Sequence, residues 1–256
     1  MSELRETQLD GFDGAKLAVY RLGSGRPVLL LHGLFSGAQM NWIKFGHAQV
    51  LADAGFEAIM PDLRAHGDSA TPHDPAAYPA NVLVRDVLAL VDGLELEEYD
   101  LVGFSMGARA ATAAVIAGLR PRRLVLAGMG LESLDNWHAR AAFFIDAIDR
   151  FDDVKQGDPA FFAVQFMKTM KIDRVAARLL LQSGGEIVRA DLAAVTMPTL
   201  MLCGVDDHDN GSPQALLEAL SQVGADARLQ LIPGNHMSCV TRPDMGAAIA
   251  GFLLAP

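Results

Sequence analysis

The chain has 256 residues, 51% of them apolar, and a formal net charge of −10. That length suits one large domain, or a domain carrying an insertion, with enough chain to bury a sizeable core. The charge disfavours nucleic acid and anionic membrane surfaces as partners, and no apolar run approaches the roughly 18 residues of a membrane span.

The N-terminus, MSELRETQLD, is polar and lacks an export signal, which points to the cytoplasm. The two cysteines, Cys203 and Cys239, form no CxxC pair, and no His/Cys/Asp/Glu cluster has zinc spacing. Reduced, buried thiols are expected, with no metal and no other cofactor.

Residues 4–12 and 15–22 read as two strands joined at Asp13-Gly14, a hairpin signal. Residues 27–31 form a short apolar run, as in a strand covered on both faces, and end in His32-Gly33-Leu34-Phe35. Residues 41–54 have helical periodicity and stop at Gly55; 56–60 is the next buried strand, followed by a polar loop over 61–75. An amphipathic helix is predicted over 82–94 and a further strand over 124–127.

Between these two lies the most informative stretch, YDLVGFSMGARAATAAVIAG (99–118). An apolar run ends at Ser105 and an alanine-rich helix starts immediately after it. Gly103 and Gly107 flank the serine, giving the Gly-x-Ser-x-Gly spacing of a nucleophile elbow. So sharp a turn leaves no room for side chains two residues either side. It lifts the hydroxyl above the sheet and puts the Met106 amide at a helix N-terminus, where negative charge is stabilised.

The rhythm then changes. Residues 131–195 contain no clear strand and read as helices over 137–151, 159–170 and 175–182. Strand–helix alternation resumes with strands at 198–203 and 227–232 and helices at 213–223 and 245–254. This pattern predicts an α/β fold: a mainly parallel, doubly wound eight-stranded sheet, with a core over 1–130 and 196–256 and a helical insert over 131–195. Ligands of such sheets sit beyond the carboxyl ends of the strands, so the loops at 32–40, 61–75, 104–107, 128–131, 203–212 and 233–240 are the ones to read.

A serine hydroxyl needs a general base, and the base needs an orienting carboxylate. Of seven histidines, His236 in PGNHMS follows the last strand and is the best-placed base; His208 is the weaker competitor. The preceding strand-end loop, CGVDDHDN, offers Asp206, Asp207 and Asp209. Asp207 is preferred, with Asp206 the main alternative.

The order Ser105, Asp207, His236 and the stretches LLLHGLFSG (29–37), PDLRAHGDS (61–69), VGFSMG (102–107), PTLMLCGVDD (198–207) and IPGNHMS (232–238) resemble the α/β-hydrolase family along nearly the whole chain. The resemblance implies a second oxyanion donor, the N–H of Leu34, working with that of Met106. It implies loop-holding roles for His32, Asp62, Arg64 and His66, with Ala65 standing where the family usually has glycine. It also implies that 131–195 is a cap after the sixth strand. Phe143, Phe144, Phe161, Phe162, Phe166, Met167 and Met170 are then split between packing and an apolar pocket, with Phe35, Met129 and Trp137 the nearer pocket walls.

The expected activity is that of a serine carboxylesterase acting on a small ester with an apolar part, in a monomer or homodimer. Lactonase, C–C bond hydrolase and perhydrolase are the enzymatic alternatives. Epoxide hydrolase or dehalogenase chemistry would need a carboxylate at position 105. A ligand receptor of the same fold is a rival from another class, and no sequence feature points to it.

Overall fold

The computed structural model describes residues 3–255; the outermost residues of the expected core, 1–2 and 256, lie outside the described residues. Eight strands form one sheet: β1 (Arg5–Asp10), β2 (Lys16–Gly23), β3 (Arg26–Leu31), β4 (Phe56–Pro61), β5 (Asp100–Phe104), β6 (Leu124–Ala127), β7 (Thr199–Gly204) and β8 (Ala227–Ile232). Their spatial order is β1-β2-β4-β3-β5-β6-β7-β8. Among the described residues, only the pairings of β2 with β1 and with β4 are antiparallel. From β4 to β8 every pairing is parallel, for example Leu30 beside Val102 and Val102 beside Val125.

Alternation along the central strands feeds two cores. Leu29, Leu31 and Leu101 face one side, where α2 (Val82–Gly93), α3 (Met106–Ile116) and α8 (Pro213–Gln222) pack. Val28, Leu30 and Val102 face the other, against α1 (His47–Asp53) and α10 (Pro243–Leu254). With both faces covered, these strands are apolar at nearly every position, as parallel sheets require. At the edge, β8 is half-buried at Ala227 and Leu229, exposed at its other positions and buried only at Ile232.

The helix expected over 41–54 is broken. A π-helical turn spans Gln39–Ile43, and α1 begins only at His47, after Gly46 takes the left-handed φ of 80°. A right-handed helix cannot pass through that conformation, so the apolar periodicity continues across a break in the backbone.

Between β6 and β7 lie α4 (Glu132–Asp135), α5 (Trp137–Asp149), α6 (Phe161–Met170), α7 (Arg174–Ser183) and a 3-10 turn over Arg189–Ala194. This insert has its own small core, which includes Ala141, Ile148, Val164, Met167, Ala177 and Leu181 and meets the body at Phe35. Among the described residues, no helix is long and apolar enough to cross a membrane.

Candidate active site

Ser105 occupies the turn between β5 and α3 with φ 53° and ψ −116°, a conformation that costs a residue bearing a Cβ on the order of 1–3 kcal/mol. The turn is held at both ends: Ser105 N–H donates to Ala127 O at 2.8 Å, and Arg109 N–H donates to Ser105 O at 3.0 Å. A Cβ at Gly103 would stand 2.4 Å from the carbonyl oxygen of Gly107, so strand and helix can meet only without one.

His236 is the first residue of a short helix, α9 (His236–Cys239), which the sequence pattern did not reveal. Asn235 caps it, accepting the N–H groups of Met237 and Ser238, while Ser238 accepts the N–H of Asn235. This reciprocal cap fixes the entry of the helix and with it the imidazole. The ring stacks on Phe104 with centroids 4.9 Å apart. Its Nδ1–H donates to Asp207 Oδ2 at 2.8 Å, and its Nε2 accepts from the Ser105 hydroxyl at 3.0 Å. A carboxylate only accepts, so the bond to Asp207 places the proton on Nδ1 and leaves Nε2 as the acceptor.

Asp207 is buried, whereas Asp206 and Asp209 are exposed; the turn formed by Asp207 N–H and Gly204 O directs the second of the adjacent aspartates inward. Asp207 Oδ1 also accepts the N–H of Asp209 at 3.2 Å. The structure therefore brings Ser105, His236 and Asp207 together and leaves Asp206 outside the line. His208 is exposed on the cavity rim.

Met106 is the first residue of α3, where backbone N–H groups have no intrahelical acceptor. Leu34 lines the same cavity as Met106, in a loop whose flanking amides are engaged. Gly33 N–H donates to Asn41 Oδ1 at 3.1 Å, and Phe35 N–H donates to His66 Nε2 at 2.9 Å. His32 accepts Leu63 N–H on Nε2 at 2.9 Å and donates Nδ1–H to its neighbour's carbonyl, Gly33 O. Burial pushes His32 down to about 4 and His66 down to about 3, so both are neutral acceptors at neutral pH. Asp62 accepts the N–H groups of Ala38 and Asp68. Arg64 pairs with Asp86 and Asp13. Ala65 adopts φ 68°, so the loop takes the left-handed path that glycine would allow, with an alanine.

Ser105 opens into a cavity of about 1000 Å³ lined by the body and the insert together. Phe35 and Trp137 lie on its wall, as do Phe143, Phe144, Phe162 and Phe166. Met129 does not: it is buried in the core on the α2–α3 side of the sheet, and its carbonyl accepts the Cys203 thiol. The expectation that it walls the pocket is corrected: Met129 packs into that core instead of facing the cavity. Met167 is likewise buried in the core of the insert.

The family model for the alpha/beta hydrolase fold matches residues 26–169, more than half of the chain. The chain belongs to the α/β-hydrolase fold family. This α/β-hydrolase is 37% identical over 100 residues to epoxide hydrolase 2 of Siraitia grosvenorii, a stretch covering 39% of the chain and 30% of that protein. It thus spans under a third of that relative's length. It is 30% identical over 239 residues to the dihydrolipoyllysine-residue acetyltransferase component of the acetoin cleaving system of Pseudomonas putida, covering 82% of the chain and 62% of that protein. The solved structure of a hydrolase from Pseudomonas aeruginosa PA01 superposes with a TM-score of 0.73 at 25% identity, over 98% of this chain and 99% of that one.

Proposed function

We propose that this α/β-hydrolase is a serine hydrolase that cleaves small carboxylic esters through an acyl-enzyme on Ser105. The observation that carries this reading is the unbroken line of hydrogen bonds Asp207–His236–Ser105 at an apolar cavity. His236 Nε2 takes the hydroxyl proton as the oxygen attacks the ester carbonyl. The tetrahedral oxyanion is held by the N–H groups of Leu34 and Met106, each worth about 3–4 kcal/mol in the transition state. His236 returns the proton to the departing alcohol. It then takes a proton from water as the water oxygen attacks the acyl carbonyl, and gives that proton to Ser105 Oγ as the acyl–oxygen bond breaks and the acid leaves. Asp207 keeps the imidazole in the required tautomer and stabilises the imidazolium. The helices over 131–195 act as a cap that supplies the aromatic wall.

Epoxide hydrolysis, the activity for which the relative from Siraitia grosvenorii is named, fits this chain less well. Opening an epoxide on a serine oxygen would leave an ether, which water does not cleave as it cleaves an ester. Only a carboxylate at that position gives a hydrolysable intermediate, and position 105 holds serine.

The test is the release of p-nitrophenol from its acetate and butyrate esters by the parent and by Ser105→Ala. A loss of about 10³-fold or more in kcat is expected. Equal rates in the two proteins would refute the mechanism. A screen extended to lactones and diketones reads the bond that is cleaved.

A further inference from the structure

Two guanidinium groups reach the wall of this largely apolar cavity. Arg109, on α3, is buried and stacks over Trp137 at 4.5 Å from the ring centroid. It donates Nε–H to Ser133 O at 3.2 Å and Nη2–H to Gly185 O. Arg140, on α5, is half-buried, lies 5.5 Å from the Phe144 ring centroid and donates Nη1–H to the backbone carbonyl of Asp209 at 2.5 Å.

Among the described residues, neither guanidinium takes part in an ion pair within 4.0 Å. Carbonyl oxygens satisfy some of their N–H groups without neutralising the charge. Burial lowers the pKa of both, Arg109 to about 10, and of the two Arg109 is the more deeply buried. Carboxylates act on them only from farther off: Glu186 on Arg109, Asp207 and Asp209 on Arg140. Asp207 is itself engaged by His236, and Asp206 and Asp209 share the cavity rim.

Poorly solvated cations are costly unless a partner arrives. Arg109 ties body to insert through its Nε–H and Nη2–H groups. Arg140 keeps its Nε–H and Nη2–H groups without a protein acceptor among the described residues. A guanidinium presents N–H donors in a planar fork that matches a carboxylate. The aspartates nearby favour a monoanion over a doubly charged phosphate.

We propose that the substrate carries a carboxylate remote from the bond that is cleaved, that Arg140 binds it, and that Arg109 adds to the attraction. This rests on the acyl-hydrolase reading of Ser105 and names the substrate class more narrowly: monoesters of dicarboxylic acids, or esters with an acidic alcohol part.

The experiment compares kcat/KM for the mono-p-nitrophenyl esters of glutaric, adipic and pimelic acids with that for the p-nitrophenyl esters of pentanoic, hexanoic and heptanoic acids. In the parent protein the anionic ester is expected to be preferred by about tenfold at one length or more. The anionic-to-neutral ratio should fall by about tenfold in Arg140→Gln and recover in part in Arg140→Lys. Neutral esters turned over through Ser105, with no anionic ester preferred at any length, would overturn this inference and leave the hydrolase reading standing. Equilibrium binding of monomethyl adipate and of methyl hexanoate to Ser105→Ala reads the anion site independently of turnover. Tighter binding of the former, lost in the Ser105→Ala/Arg140→Gln double variant, supports it even if no ester is hydrolysed, and equal binding overturns it.

Discussion

Replacing Gly107 by alanine tests whether the serine turn is fixed by main-chain contact. A Cβ there would stand 2.2 Å from Leu31 O, 2.5 Å from Leu31 C and 2.6 Å from His32 O. All three are backbone atoms of β3 and of the loop that carries Leu34, so no rotamer change can clear them. The first turn of α3 must retreat by roughly 1 Å to restore ordinary contact, which places the cost at the upper end of overpacking, about 3 kcal/mol. The same retreat lengthens the 3.0 Å bond between Ser105 and His236 and withdraws the Met106 amide from its partner donor. A misplacement of that size costs about 10²-fold in rate. Urea unfolding followed by circular dichroism gives the first quantity, and kcat with saturating p-nitrophenyl butyrate gives the second. Gly93→Ala is the control: no atom lies within 4 Å of its added Cβ and its φ is not left-handed, so stability should hold or rise slightly. A Gly107→Ala protein within about 0.5 kcal/mol and threefold of the parent would refute the argument.

The buried pair Arg64–Asp86 gives a second expectation. Arg64→Met leaves Asp86 buried without its partner and should cost about 3–5 kcal/mol at pH 7. Burial already raises the Asp86 pKa, and loss of Arg64 raises it further. The deficit should therefore shrink as pH is lowered and the carboxyl becomes neutral; urea titrations at pH 7 and 5 with equal, small deficits would contradict this. A third expectation concerns His32 and His66, held neutral at about 4 and about 3 by burial against an unfolded value of about 6.5. Their contribution is complete above pH 6.5. It is lost as pH falls toward the folded values, because only the unfolded chain takes up the protons. Between pH 6 and 5 each should lower stability by about 1.4 kcal/mol per pH unit, and His66→Gln should remove about half of that slope. An unchanged slope in the variant would exclude His66.

The sequence carries the sheet and the serine turn clearly because both are local. β6 is an uninterrupted apolar run, β5 carries no charge after Asp100, and the constraint on Ser105 is written in glycines two positions away. Less local features are harder to read. Asp206 and Asp207 are adjacent and chemically alike; only the turn back to Gly204 determines which one is buried. Its place after a strand end puts Met129 on the pocket wall, but the side from which a residue leaves such a turn depends on tertiary packing, and Met129 lies in the core. Asn41 sits at a position that periodicity assigns to a helix, yet its side chain accepts Gly33 N–H across the loop. Arg109 lies within an alanine-rich helix, where nothing in the pattern marks it as reaching a cavity. The break at Gly46 is marked in the sequence only by an isolated glycine, which a helix tolerates at a cost of about 1 kcal/mol, so the periodicity runs straight across it.

The two halves of the proposed oxyanion site are held rigid by different means. The Met106 half is covalently continuous with the strained turn at Ser105, so backbone sterics place it. The Leu34 half lies in a loop of no regular structure, and the hydrogen bonds that the amides on either side donate to Asn41 and His66 place it instead. His66 can do this only as a neutral acceptor, because a protonated ring would present a donor to a donor. Burial that keeps His66 neutral thus orients the loop and also makes the fold sensitive to acid. Preorganised dipoles stabilise a transition state because they need no reorganisation when charge develops. In this protein that rigidity comes at the cost of stability on acidification, so loss of loop order and loss of folding stability should be coupled through a single imidazole.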